Sequence, residues 1–348
     1  MKKILISVTL ILTMILSLTA CGGGGSESKE TLNVYNWGDY IDKSVIREFE
    51  DEFGVKVNYE EYATNEEMLA KIEAGGTAYD VIFPSEYMIE YMISKDLLNE
   101  LDYANLDNFK NLDERFTNLA YDANSKHSVP YLWGTMGIVY NKNMVTEPVD
   151  SWKILWDEKY AGKILMLDSS RDTIGVTLKM LGYSLNTKNM DELNEAKEAL
   201  IAQKPLVRAY EVDTYKDQMI AEEAAMALCW SGDAMLLIEE NENLAYAIPQ
   251  EGTNLWFDTM AIPKTSQNKE LAEKFINFMM RPEIAAKNSD YIKYASPNKE
   301  ALSLLPEEDA TNPYLYPEGD ITQLGEVFLD LGEFTTEYDK VWTEIKSS

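Results

Sequence analysis

The stretch TLNVYNWGDYIDKSVIREFEDEFGVKVNYEEYATNEEMLAKIEAGGTAYDVIFP, residues 31–84, decides the fold. Thr31 to Tyr35 reads as a strand. Ser44 to Phe53 places Val45, Ile46, Phe49 and Phe53 at helical spacing and reads as an amphipathic helix. Val55 to Tyr59 alternates like a strand. Asn65 to Ala74 returns to helical spacing, with Thr64 or Asn65 as its N-cap. Asp80 to Phe83 is a short, mostly apolar strand closed by Pro84. The order β-α-β-α-β predicts an α/β fold: a mostly parallel, doubly wound sheet with helices on both faces.

A second unit of the same grammar begins near Gly162. Lys163 to Leu167 reads as a strand, Thr173 to Leu181 and Asp191 to Gln203 as helices, Ala224 to Cys229 as a strand and Asp233 to Glu240 as a helix. No repeat period and no Pro/Gly/Ser linker divides the chain near its middle. Two α/β lobes without a linker between them predict discontinuous domains joined by crossover strands.

The composition excludes several functions. The chain has 348 residues, with 60 Asp+Glu against 31 Lys+Arg, and a formal net charge of −29. Such a surface disfavours nucleic acid, whose binding rests on cationic neutralisation of phosphates, and disfavours anionic membranes for the same reason. The single histidine, His127, leaves no zinc-binding His pair. Two cysteines allow at most one disulfide and no four-cysteine metal site. No phosphate-binding GxxxxGK[ST] loop and no D-x-[DN]-x-[DN]-G calcium loop occurs. The sequence therefore points to no catalytic residue, cofactor or metal site.

The N-terminus reads as an export signal, residues 1–20: Lys2-Lys3, an apolar run from Ile4 to Ala20, then Cys21. Leu18-Thr19-Ala20-Cys21 resembles a bacterial lipobox, which implies cleavage before Cys21 and a diacylglycerol on its sulfur. Gly22 to Gly25 and the polar residues up to Glu30 then form a flexible tether. The expectation is an extracytoplasmic soluble domain, lipid-anchored to the cell membrane. Cys229, in an apolar run, reads as a small buried hydrophobe.

In open α/β sheets ligands bind beyond the carboxyl ends of the strands. Six segments follow or flank such ends: Asn36-Trp37-Gly38-Asp39-Tyr40, Pro84-Ser85-Glu86-Tyr87, Asp168-Ser169-Ser170-Arg171-Asp172, Trp230-Ser231-Gly232-Asp233, Leu255-Trp256-Phe257-Asp258 and Tyr291-Ile292-Lys293-Tyr294. Five of the six hold an aromatic and five hold an acid. Converged, they make an aromatic box with carboxylates at its ends, which suits an organic cation. Ring faces attract cations by about 0.5–2 kcal/mol, and carboxylates make charge-assisted hydrogen bonds to ammonium groups. Taken singly, a Trp after a strand is more often a core residue. Asp39, Asp172 and Asp233 are each explicable as helix N-caps. The coincidence across loops carries the reading.

At these residues the chain resembles the extracytoplasmic spermidine/putrescine-binding proteins of ATP-driven polyamine importers. The similarity runs from Leu32 to Lys346. Besides the segments above it is carried by Ala78-Tyr79-Asp80-Val81, by Val129-Pro130-Tyr131-Leu132-Trp133-Gly134, by the continuation of Leu255 to Pro263, and by Asn277-Phe278-Met279-Met280-Arg281-Pro282. The resemblance implies a periplasmic-binding-protein type II fold, with two lobes of mostly parallel sheet around a central ligand cleft. The lobes are expected at 31–137 plus 258–300 and at 138–257 plus 301–348. It implies aromatic walls from Trp37, Trp230, Trp256 and Tyr294, with Tyr40 and Tyr87 beside them. Asp39, Asp172 and Asp258 are implied to meet the ammonium groups, and Ser85 to add a polar contact. Asp233 resembles an acid of the putrescine-preferring branch. Gly38, Ser169 and Phe328 depart from the family pattern and leave the choice between putrescine and spermidine open.

The implied activity is capture without chemistry: a monomer closes on a polyamine and docks on the permease of an ABC importer. The competing readings are the same fold binding a sugar, an amino acid or a metal, and a secreted glycosidase using paired carboxylates.

Overall fold

The computed structural model describes residues 29–348. The export signal, Cys21 and most of the tether lie outside the described residues, so the lipid-attachment reading is not addressed by the structure. In chain order the elements are β1 (Thr31–Trp37), α1 (Lys43–Phe53), β2 (Lys56–Tyr62), α2 (Asn65–Ala74), β3 (Val81–Ile82), α3 (Glu86–Ser94), β4 (Ser128–Asn141), β5 (Ile164–Leu167), α4 (Ser170–Leu181), α5 (Met190–Gln203), β6 (Val207–Glu211), α6 (Tyr215–Ile220), β7 (Met226–Trp230), α7 (Ser231–Glu240), β8 (Leu244–Ala247), β9 (Thr253–Ala261), α8 (Lys269–Met279), α9 (Pro282–Ile292), α10 (Glu307–Ala310), β10 (Gly325–Val327) and α11 (Thr335–Ser347).

The helices begin where local chemistry dictates. Asp42 caps α1 by accepting from the Ser44 N–H at 2.8 Å, and Gly54 ends it with φ of 69°. Thr64, not Asn65, caps α2, accepting from the Glu67 N–H. Ser169 caps α4. None of Asp39, Asp172 and Asp233 is an N-cap: Trp230 holds that position on α7 and no side chain caps it. The simplest explanation of these three acids is thereby removed.

The strands run β2-β1-β3-β9-β4-β7-β5-β6, with β10 beside β9 and β8 beside β4. The outer pairs β1–β2, β1–β3, β5–β6 and β5–β7 are parallel, as the β-α-β grammar predicts. The centre is antiparallel, because β4 and β9 are long strands that cross between two half-sheets. Ser128 to Thr135 of β4 pairs with β9, and Met136 to Asn141 pairs with β7 and β8. These crossovers join the two halves without a linker, and the architecture is the two-lobed periplasmic-binding-protein arrangement.

Two expectations need correction. The strand expected over Asp80 to Phe83 shrinks to Val81–Ile82. The Asp80 carboxylate accepts from the Asn33 N–H, and the Phe83 carbonyl accepts from Trp37 Nε1 and the Tyr62 hydroxyl, each at 2.7 Å. Side chains have taken the ladder's bonds. The segment Leu255 to Asp258, read as a loop, lies inside β9, all nine residues of which are buried. A strand buried on both faces shows no alternation by which to recognise it.

The crossover is tightly packed. A Cβ at Gly137 would lie 2.5 Å from both the Ala247 carbonyl oxygen and the Tyr246 ring. Gly137→Ala is expected to cost about 1–3 kcal/mol of unfolding free energy through overpacking. Urea titration reads this as a lower midpoint at unchanged slope.

Candidate functional site

The site is built on Asp258, whose side chain is 7 % exposed on β9. Its Oδ1 accepts from Ser85 Oγ at 2.6 Å and its Oδ2 from the Tyr40 hydroxyl at 2.7 Å. Ser85 stands immediately before α3 and makes no side-chain cap there, because its hydroxyl is spent on Asp258. Tyr40 stands before α1. Three distant stretches of chain thus meet at one carboxylate.

Rings enclose it. Trp256 and Tyr294 meet edge to face at 5.0 Å between centroids, and Tyr294 meets Tyr40 at 5.8 Å. Edge-to-face contacts fix ring orientation and add to burial. Tyr131 supports Tyr40 from behind, at 5.6 Å, and donates its hydroxyl to the Tyr40 carbonyl. A Cβ at Gly134 would lie 2.5 Å from the Trp256 ring, and one at Gly232 would lie 2.3 Å from the Tyr294 ring. Both glycines are there so that backbone can lie flat against a ring.

The other expected residues fall around this centre. Trp37 ends β1, donates Nε1 to the Phe83 carbonyl and packs on Tyr62. Trp230 ends β7 and packs partly buried against both large apolar cores. The Tyr87 hydroxyl accepts from Asn65 Nδ2 at 3.0 Å and donates to Glu66 at 3.1 Å. Asp172 accepts from Ser169 Oγ at 2.7 Å and lies close enough to raise the Asp258 pKa. Asp233 is buried, accepts from the Tyr215 hydroxyl at 2.6 Å and lies 3.7 Å from Lys216 Nζ. Its charge helps burial push the Tyr294 phenol well up. Asp39 stands apart, exposed and in left-handed backbone with φ of 50°. It bears electrostatically on Lys43 and Tyr59 rather than on the Asp258 cluster.

Sequence reasoning missed Asn65, Tyr131 and the role of Tyr215. Asn65 is buried and bridges two site residues, its amide nitrogen donating to Ser85 Oγ and to the Tyr87 hydroxyl. Phe328 is buried beneath the Arg171 guanidinium, 4.4 Å from the ring centroid, and Arg171 also lies over Tyr87. Cys229 is free and buried, as expected. His127 pairs with Asp122 at 3.4 Å.

The two central carboxyls are shifted in the same direction. Burial pushes the Asp258 carboxyl up to about 6, with Asp172 adding to the effect. Burial likewise pushes Asp172 up to about 6, opposed by Ser169 and Arg171. Desolvated carboxyls gathered around rings resist ionisation until a cation joins them. Because both folded values exceed the unfolded value of about 3.9, the folded state holds protons that the unfolded state has lost. This destabilising contribution grows as pH rises from about 4 through 6 and is complete above that. These two groups are expected to subtract stability over this range. Asp258→Asn should recover on the order of 1–2 kcal/mol at pH 7 and little at pH 4. Melting temperatures of the two proteins across pH check it, and a gap independent of pH would count against the charge argument.

The family of bacterial extracellular solute-binding proteins matches residues 44–314. The spermidine/putrescine-binding periplasmic protein of Salmonella typhimurium is 33 % identical over 324 residues, 92 % of this chain and 93 % of that protein. A provisionally assigned spermidine/putrescine ABC transporter protein from Listeria monocytogenes superposes with a TM-score of 0.88 at 45 % identity, covering 91 % of this chain and 99 % of the other. The TpPotD lipoprotein of Treponema pallidum superposes with a TM-score of 0.83 at 30 % identity, again over 91 % and 99 %. This chain belongs to the bacterial extracellular solute-binding proteins, among relatives of the spermidine/putrescine-binding proteins.

Proposed function

We propose that this protein captures polyamines outside the cytoplasm and delivers them to the permease of an ABC importer. The observation that carries the reading is the buried Asp258 carboxylate, anchored by Tyr40 and Ser85, walled by Trp256 and Tyr294 and neighboured by Asp172. Among the described residues no cation stands among the main groups acting on Asp258, and ring faces surround it; a protonated amine supplies the charge and uses the rings. The names of the relatives favour this reading over a hydrolase, and no chemical step is assigned to the protein.

In this mechanism an ammonium group meets Asp258 while the methylene chain lies against the rings. Asp172 and Asp233 meet further ammonium groups, and Trp37, Tyr87 and Trp230 complete the walls. Asp39, exposed at the rim, attracts the cation without touching it in the bound state. Residues 31–137 with 258–300 form one lobe and residues 138–257 with 301–348 the other. A ligand that contacts both lobes only when they are closed shifts the population towards closure. Withdrawal from water then strengthens each ion pair. The protein acts as a monomer held to the membrane by a lipid on Cys21. The lipoprotein nature of the Treponema relative supports that anchor.

Calorimetric titration of the tether-free protein tests the reading. One-to-one binding is expected with putrescine or spermidine, and none with maltose. No heat with putrescine, spermidine or spermine, at low and moderate salt, would sink it. Asp258→Asn should weaken binding about 10–100-fold, the loss of a charge-assisted hydrogen bond. The exposed Glu198→Gln should leave it within about twofold, because a solvated surface charge contributes little. Equal losses would assign the affinity to the general acidic field instead.

A further inference from the structure

Glu86 has no part in capture as described above, yet it sits between two residues that do. It is the first residue of α3, flanked by Ser85 and Tyr87, and is 0 % exposed. Its Oε2 accepts from the Phe257 N–H at 2.8 Å. Phe257 is flanked in turn by Trp256 and Asp258. Its Oε1 is buried and has no hydrogen-bond partner among the described residues. One carboxyl group therefore spans the two site-bearing segments and keeps an oxygen unspent.

The surroundings of Glu86 do not supply a counter-charge. Asp258 on β9 opposes its ionisation. Arg171 on α4 favours ionisation from a distance, but its guanidinium donates to the Leu329 carbonyl and to Asn186. Tyr121, in the segment before β4, is buried nearby and is itself pushed up partly by Glu86. A carboxylate out of water, half unpartnered and beside another carboxylate costs far more than the neutral acid. Burial accordingly pushes the Glu86 carboxyl up to about 8.

We propose that Glu86 is a positioning residue of the cleft. Its bond to the Phe257 N–H ties the Ser85–Tyr87 turn to the Trp256–Asp258 segment. It keeps its proton in the ligand-free protein and releases it to solvent when an organic dication settles beside Asp258. The carboxylic acid becomes a carboxylate, the proton passes to the buffer, and the added negative charge strengthens the hold on the ligand. This inference rests on capture of a dication at Asp258.

Three measurements test it, and the first needs no ligand. Unfolded Glu86 titrates near 4.3 and folded Glu86 near 8, so its burial costs increasing stability as pH rises between those values. Glu86→Gln keeps the acceptor and cannot ionise. Its melting temperature should exceed that of the natural protein by a margin that grows from pH 5.5 to pH 8, reaching about 2–4 °C. A margin that does not change with pH overturns the proton assignment. Second, calorimetry with putrescine and spermidine at pH 8, in buffers of different ionisation enthalpy, should show release of about half a proton by the natural protein and none by Glu86→Gln. Asp172 and Asp258 are already ionised at that pH, so equal release by both proteins overturns the proposal. If no polyamine gives heat, the capture reading fails while the melting arm still judges Glu86. Third, Glu86→Ala, which leaves the Phe257 N–H without its partner, should bind the polyamine at least about tenfold more weakly than Glu86→Gln. Equal affinities overturn the positioning role.

Discussion

A carboxylate taken out of water is the constraint on which the rest of this structure turns. Asp258 lies on β9, its backbone paired with Leu132 of β4 on one side and with Ser85 on the other, and its side chain is buried. Burial makes its charge expensive, and the hydroxyls of Tyr40 and Ser85 offset only part of the cost. The remainder stays as a raised affinity of the Asp258 carboxyl for its proton, and burial raises Asp172 and Glu86 in the same direction.

The scaffold serves that requirement. The half-sheets share β4 and β9, and β9 carries Trp256 and Asp258, against which Tyr40, Ser85 and Tyr294 are brought from the connecting segments. Gly134 and Gly232 let backbone approach the rings of Trp256 and Tyr294 more closely than any side chain permits. Hydroxyls and amides of the inner layer are spent on one another: Asn65 on Ser85 and Tyr87, Ser169 on Asp172, Tyr215 on Asp233. Side chains tied in this way lose little further entropy when a ligand binds.

The large net charge has little to do with this arrangement. Many of the acids are exposed, and several are paired with lysines on the surface, as Glu60 is with Lys71 and Glu48 with Lys287. Exposed pairs of this kind contribute little to stability. They confer solubility and a field that draws cations in. The carboxylates beside the rings that water hardly reaches are few: Asp258, Asp233 and Glu86.

Local pattern alone determined the β-α-β order of residues 31–84, the five helices near 44–53, 65–74, 173–181, 191–203 and 233–240, and the buried nature of Cys229, because periodicity and capping are properties of neighbouring residues; the helices at Glu86–Ser94, Lys269–Met279, Pro282–Ile292 and Thr335–Ser347 were not read from it. It misplaced Leu255 to Asp258, since a strand covered on both faces loses its alternation, and it overextended β3, whose ladder bonds are taken by Trp37, Tyr62 and Asp80. It treated Asp39 and Asp258 alike. Only the tertiary structure separated them, leaving one in water and withdrawing the other, and desolvation depends on what packs against a group from afar. Asn65, Tyr131 and Glu86 were unreadable as site residues for the same reason: each acts through a partner more than 20 residues distant, a relation that no window along the chain contains.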